Sequence, residues 1–193
     1  MSTATTASHL IPELRAICGA AYVVEPSERV APSFGNSAVE AFTRSLDKPQ
    51  PIAVTPGSVE EIAAILRLAN EQGFGVLPAG SAEFRPPASA EVVLFTTRLT
   101  DVEHYDPADL TVGVGAGTTV AQLNAMVGKD QLLFGADPPF PEHATIGGVL
   151  ATAGHGPLRH GYGALRDFCL GVRFITGDGR KAKGGGRVVK NVA

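Results

Sequence analysis

The sequence predicts an α+β fold: a small βαβ lobe with a parallel strand pair, followed by a mostly antiparallel lobe with helices. Two patterns predict it. From Ile52 to Leu77 an apolar run, an amphipathic stretch and a second apolar run follow one another, the order of a βαβ unit. From Val102 onward, apolar runs flank the turn sequences Asp106-Pro-Ala-Asp109 and Gly177-Asp-Gly179 directly, as antiparallel hairpins do. The chain has 193 residues, enough for one large domain or two small ones. A chain of this size buries roughly 70% of its unfolded surface, so its core needs no staples.

Taken in order, residues 1–8 read as a tail. His9 to Ala20 can form a short amphipathic helix with Leu10, Leu14 and Ile17 on one face. Pro12 is tolerable there only in the first turn. Residues 25–50 are rich in Pro, Ser and Asn and read as a surface arm. Residues 1–49 are thus an N-terminal arm with a short helix, and 50–193 form the main domain. Ile52-Ala-Val-Thr55 is a strand stopped by Pro56-Gly57. Ser58 caps the next helix, with Glu61 completing a capping box. Val59, Ile62, Ala63, Leu66 and Ala69 form its apolar stripe, and Gly73 ends it. Phe74 to Leu77 is a second strand that breaks at Pro78-Ala79-Gly80. Val92 to Phe95 is a buried strand. Val102 to Tyr105 and Leu110 to Val114 form a hairpin. Thr118 or Thr119 caps a helix through Met126, and Gln131 to Phe134 returns as a short strand. Phe168 to Thr176 and Arg180 to Lys183 make the last hairpin.

Composition excludes several classes. The net charge is −3, with 44% apolar and 18% charged residues. No basic face with interleaved aromatics is present, so nothing points to nucleic acid. The basic residues Arg180, Lys181, Lys183, Arg187 and Lys190 read as a solvated edge. Cys18 and Cys169 are too far apart in sequence to suggest a disulfide framework. Cys169 lies in an apolar run, as a small core residue would. The five histidines lack metal-site spacing. No signal-peptide pattern or membrane-length apolar segment occurs. The expectation is a cytoplasmic protein, membrane-associated only through partners.

Two glycine-bearing stretches carry the functional signal. Ala144-Thr-Ile-Gly-Gly-Val-Leu-Ala-Thr-Ala-Gly-His-Gly-Pro157 has little side-chain volume, so backbone can approach a flat or charged ligand. Pro78-Ala-Gly-Ser-Ala-Glu-Phe-Arg85 follows a strand of the βαβ unit, where ligands bind in such units. Each stretch is equally compatible with a structural connection. Gly113-Val-Gly-Ala-Gly-Thr-Thr-Val120 imitates a dinucleotide fingerprint, but Val120 stands where the third small residue belongs. Its glycines read as close strand packing. No G-x-S-x-G, Cys–His or paired-carboxylate arrangement appears. Arg166-Asp167 reads either as an ion-pair clamp on the second stretch or as a surface pair. His155 and His160 read as satisfied or exposed loop histidines rather than anion ligands.

Residues 50–193 resemble the PCMH-type flavin-binding domain of the FAD-linked oxidases of the vanillyl-alcohol oxidase type. The resemblance rests on Pro56-x-Ser58-Val-Glu-Glu-Ile62, Ala144-Thr-Ile-Gly-Gly148, Tyr162-Gly163 and Asp178-Gly179. Gly163 to Gly179, with Gly185 to Ala193, is similar to the FAD-binding subunit of glycolate oxidase, the E component. The resemblance implies a two-lobed α+β FAD domain. Its first loop, Pro78, Ala79, Gly80, Ser81, Ala82, Glu83 and Phe84, would hold the FAD diphosphate. Asp137, Pro138, Thr145, Ile146, Gly147, Gly148, Ala151, Thr152 and Gly154 would line the rest, and Tyr162-Gly163 would close the site. The loop departs from the family's usual R-G-G-G-T, and Glu83 puts a carboxylate where a diphosphate approaches. No histidine lies in it, so the FAD is expected to be non-covalent, and Cys169 is not placed for a cysteinyl link.

The same resemblance implies a subunit of a glycolate (2-hydroxy acid) oxidase complex. Flavin would accept a hydride from the substrate, and electrons would pass to an iron–sulfur subunit. No catalytic acid or base transfers onto residues present here. The family continues past this point into a substrate domain, so the chain is expected to be truncated and inactive on its own. Two rival readings are a degenerate flavin module kept as an assembly subunit and a D-lactate dehydrogenase-like oxidoreductase.

Overall fold

The computed structural model describes residues 9–25, 51–80 and 90–186. The arm at 26–49 and the loop residues Ser81 to Phe84 lie outside them. The chain divides into two compact units, Met1–Arg98 with Ile175–Arg180, and Leu99–Phe174 with Lys181–Ala193.

The first unit is built on a four-stranded sheet. Helix α1 (Leu10–Cys18) precedes strand β1 (Val23–Val24), and Pro12 falls in the first turn of α1. Then come β2 (Ile52–Val54), α2 (Val59–Gln72), β3 (Val76–Ala79) and β4 (Val92–Phe95). The strand order is β1-β2-β4-β3. β4 runs parallel to both β2 and β3, and β1 is antiparallel to β2. The two strands of the βαβ unit are therefore parallel but not adjacent, because β4 lies between them. Their side chains explain the order. All four residues of β4 are buried, which demands a central position. β3 extends through Pro78 and Ala79 instead of breaking there. Pro78 has no N–H to give a second neighbour, so β3 takes the edge.

α2 starts as its capping sequence dictates: the Glu61 N–H donates to Ser58 Oγ at 3.1 Å. The Glu61 carboxylate reaches back to the Gly57 N–H at 2.7 Å, one residue beyond the box expected from sequence. Gly73 ends the helix in the left-handed region, φ 74°, at little cost for glycine. The core-facing residues are Ile65, Leu68 and part of Ile62, packed with Leu10, Leu14, Val54 and Leu94. Val59 is exposed and Leu66 only half-buried, so the helix is rotated from the expected stripe. The cause is a second contact. Arg67 Nη1 donates to the Gly179 carbonyl at 3.2 Å and Asn70 Nδ2 to the Gly177 carbonyl at 2.6 Å. The hairpin turn thereby occupies the side that carries Ala63. At Gly179, φ is 79° and a Cβ would lie 2.6 Å from the Ala63 carbonyl oxygen.

Arg98 ties the far ends of this unit together. Its guanidinium carbon lies 3.5 Å from the Tyr22 ring centroid, and Nη1 donates to the Thr55 carbonyl at 3.0 Å. The guanidinium also fills space that a side chain at Gly57 would need. Arg98→Ala is expected to destabilise the first unit by about 1–3 kcal/mol, through a lost cation–π contact and a lost charged hydrogen bond. Arg98→Lys should recover only part of this, since an ammonium cannot stack as a planar fork does. Urea denaturation of both variants measures it.

The second unit opens with the hairpin of β5 (Val102–Asp106) and β6 (Thr111–Val114), antiparallel with an irregularity between Val102 and His104. Asp106 Oδ1 accepts the N–H groups of Ala108 and Asp109, which closes the turn. α3 (Val120–Val127) carries a full capping box between Thr119 and Gln122. Its Val120, Leu123 and Val127 pack with Ala136, Ala144, Ile146, Val149 and Leu165. Gln131 to Phe134 is not a strand. Gln131 is left-handed, φ 61°, and the Phe134 N–H is taken by Asn124 Oδ1 at 2.9 Å. A side chain thus replaces the strand partner that the pattern required.

Three short helices follow, α4 (Ile146–Thr152), α5 (Arg159–Tyr162) and α6 (Leu165–Phe168), and then the hairpin of β7 (Gly171–Ile175) and β8 (Lys181–Gly185). The last hairpin begins later than expected because Phe168 ends α6, with its ring edge-on to Phe134 at 5.7 Å. Cys169 therefore precedes the strand and is half-buried rather than a core residue.

Candidate functional site

The stretch 144–154 is not a loop. Thr145 caps α4, its hydroxyl accepting the Gly148 N–H at 3.2 Å. The Ile146 N–H donates to the Thr118 carbonyl at 2.8 Å and the Gly147 N–H to the Ala116 carbonyl at 2.9 Å. The Val149 N–H goes to the Thr145 carbonyl. The N–H groups of Ile146, Gly147, Gly148 and Val149 are therefore spent on the protein itself. What α4 offers instead is partly exposed backbone at Gly147 and Gly148.

Its two glycines differ. A Cβ at Gly147 would sit 2.8 Å from Ala116 Cβ and 3.0 Å from the Ala116 carbonyl oxygen. Gly147 is small because α4 packs directly on the 115–118 turn. At Gly148 the one atom within 4 Å of an added Cβ, among the described residues outside the helix's own backbone, is the Thr145 hydroxyl oxygen at 3.1 Å. No backbone of the described residues outside its own helix closes on that glycine, in contrast to Gly147. Thr145 and Ile146 are buried and anchor the helix, so neither side chain is free to touch a ligand. Ala151 and Thr152 are exposed on the same helix, and the Thr152 hydroxyl donates back to the Gly148 carbonyl at 2.8 Å.

The segment 135–138 lies against 154–162. Asp137 Oδ1 accepts the Gly156 N–H at 3.0 Å, and Oδ2 accepts the Leu158 N–H at 3.1 Å. Gly154 lies near Pro138, where a Cβ would be 4.0 Å from the Pro138 Cβ. A Cβ at Gly135 would meet the Tyr162 ring at 3.0 Å. Tyr162 is 55% exposed. Gly163, φ 85°, then turns the chain into α6. These predicted site residues are brought together within the second unit.

Pro78 and Ala79 lie in β3 and Gly80 follows it, at the carboxyl end of a parallel strand of the first unit. The Ala79 carbonyl accepts the Thr96 N–H at 3.0 Å. Ser81, Ala82, Glu83 and Phe84, the remainder of this predicted loop, lie outside the described residues.

His155 is a satisfied loop histidine, as expected, though its partner was not legible in the sequence. Its Nε2 accepts the Leu165 N–H at 2.7 Å, so in this arrangement the ring is neutral with its proton on Nδ1. His160 is exposed. Arg166 and Asp167 approach at 3.7 Å with largely exposed side chains, a surface pair rather than a clamp. Asp167 instead caps α6, its Oδ2 accepting the Ala164 N–H at 3.2 Å. Burial, with a smaller contribution from Glu61, pushes the Cys18 thiol up to about 11, so it is not a reactive thiolate. In the hairpin turn, hydrogen bonds from Thr176 and then Arg180 hold the Asp178 carboxyl below its ordinary value. Neither group lies in the 137–163 stretch. Among the described residues, no group of His, Cys, Asp and Glu could hold a metal ion, and no helix is long and apolar enough to cross a membrane.

Bare backbone at Gly148, small residues at Ala151 and Gly154, and a half-exposed aromatic at Tyr162 fit a flat ring system. They offer few free donors to a diphosphate. A D-lactate dehydrogenase of Archaeoglobus fulgidus is 35% identical over 146 residues, which is 72% of this chain and 32% of that protein. The glycolate oxidase subunit GlcE of Escherichia coli is 39% identical over 93 residues, 48% of this chain and 27% of that one. The chain thus spans about a third of the length of these relatives. In fold, it superimposes over 100% of its length on 38% of p-cresol methylhydroxylase, with a TM-score of 0.73 at 18% identity. The α+β architecture is therefore that of the PCMH-type FAD-binding proteins. Residues 50–183 match the FAD binding domain family, and the chain belongs to it.

Proposed function

We propose that this chain supplies the FAD-binding part of a flavoprotein that oxidises a small 2-hydroxy acid. The observation that carries the reading is Gly148, a glycine on a capped helix where an added Cβ would meet, among the described residues, only the Thr145 cap hydroxyl, with Gly147 before it and Ala151 and Gly154 after it. When bound, FAD supplies the acceptor for the hydride on the substrate α-carbon. Gly148, Ala151, Thr152 and Gly154 give the flavin a close approach to backbone. Pro138 and Tyr162 bound that surface within the second unit. In the first unit, the strand end Pro78-Ala79-Gly80 leads into Ser81 to Phe84, which serve the diphosphate. Glycolate is the substrate favoured by likeness to GlcE. D-lactate is the alternative, favoured by the longer match to the archaeal dehydrogenase. An iron–sulfur subunit takes the electrons in the glycolate reading, and the assembly is cytoplasmic, reaching a membrane only through partners.

The FAD is held without a covalent bond, since no histidine occurs in residues 78–85. Acid precipitation of the FAD-loaded chain should release all flavin into the supernatant. Flavin that stays in the washed pellet contradicts this. Anaerobic mixing of the loaded chain, with partner subunits added, with glycolate and with D-lactate identifies the substrate by which acid bleaches the flavin band.

A further inference from the structure

We propose that Asp137 is a positioning residue: its carboxylate pre-forms the segment 154–162 as one wall of the cofactor site, rather than touching the cofactor. The inference rests on the FAD reading above. Both carboxylate oxygens are turned onto backbone. Oδ1 accepts the Gly156 N–H at 3.0 Å, and the Leu158 N–H lies 3.1 Å from Oδ2 and 3.3 Å from Oδ1. Charged acceptors make the stronger bonds of this kind. The fit is close enough to exclude a side chain at Gly156. A Cβ there would overlap the Asp137 carbonyl oxygen and lie 2.6 Å from Asp137 Cγ.

The neighbouring contacts share this task. Tyr162 packs over Gly135, and Pro138 lies beside Gly154. His155, next to Gly156, ties the start of the segment to α6 through the Leu165 N–H. Without Asp137, the Gly156 and Leu158 N–H groups lose their partner, and the run Gly154-His-Gly-Pro157 is left to the Gly154 N–H bond to the Val149 carbonyl, the His155–Leu165 bond and the turn bonds into α5. Such a segment opens locally before the rest of a domain unfolds.

The test uses the flavin-free chain first. Arg159 lies within the segment and is exposed, so trypsin cleavage after it, located by mass spectrometry, reports local opening. Asp137→Ala should raise that cleavage rate about tenfold and weaken FAD binding about tenfold, the scale of one charged hydrogen bond. Asp137→Asn keeps one acceptor oxygen but loses the charge and turns an NH2 donor toward a backbone N–H, so it should fall between wild type and Asp137→Ala in both readings. Gly156→Ala crowds the same contact from the other side and gives the same local cleavage, even if Asp137→Ala does not fold. Unchanged cleavage with weakened FAD binding would mean that Asp137 touches the cofactor directly, and overturns the proposal. Raised cleavage with unchanged FAD binding overturns it too, because the segment would not then line the site. If the wild-type chain takes no FAD, the FAD reading fails, and cleavage alone decides whether Asp137 holds the segment.

Discussion

Alanine at Gly115 should destabilise the second unit by about 3 kcal/mol or more, while alanine at Gly113 should cost under about 1 kcal/mol. Both glycines belong to the same G-x-G-x-G sequence, so the contrast isolates packing. At Gly115 an added Cβ would overlap the Leu99 carbonyl oxygen and lie 2.6 Å from its carbon. Backbone cannot swing aside as a side chain would. The same turn is pinned by the Gly115 N–H to the Asp101 carbonyl and the Gly117 N–H to the Leu99 carbonyl, each at 2.8 Å. Relaxing the clash therefore breaks hydrogen bonds. At Gly113 the nearest atom is His104 Cβ at 3.8 Å, an ordinary contact. Urea denaturation of the two variants measures the difference. Equal stability would mean that the glycine-rich turn is not packed on Leu99, and would reopen its reading as a ligand loop.

Valine at Gly148 should weaken FAD binding at least a hundredfold, about 2.7 kcal/mol, while costing the fold about 1 kcal/mol or less. Among the described residues an added Cβ there meets only the Thr145 hydroxyl, and the proposal assigns the space beyond it to the flavin. Gly147→Ala is the control. Its methyl would press on Ala116, so it should lower stability before it lowers affinity. Far-UV circular dichroism and a denaturation curve separate the two outcomes.

Much of the fold was legible because local chemistry set it. Ser58, Thr119 and Gly73 begin and end their helices as their types require. The Asp106 and Gly177–Gly179 turns lie where apolar runs meet turn residues. What sequence alone missed came from partners distant along the chain. α2 is rotated because Gly177 and Gly179 bond to Asn70 and Arg67, more than a hundred residues away. β4 lies between β2 and β3 because burial of all its residues outranks chain order. Gln131 to Phe134 carries the short apolar run of a strand, yet an asparagine side chain takes the Phe134 N–H.

The candidate site shows the same division. Small residues marked 144–154 as a place of close approach. They did not reveal that Gly147 serves helix packing while Gly148 does not. That distinction depends on Ala116, which follows the structural glycine Gly115. The roles of Asp137 and His155 were hidden for the same reason. Each bonds to backbone at least ten residues on, and no local pattern encodes such a pairing.

Equilibrium titration of the flavin-free chain with FAD, read by flavin fluorescence and run beside Gly148→Val, tests the central claim most directly. The account predicts saturable one-to-one binding by the wild-type chain and at least a hundredfold weaker binding by the folded variant. Wild-type protein that is folded but takes no FAD, or a Gly148→Val chain that binds it as tightly as wild type, would contradict the account.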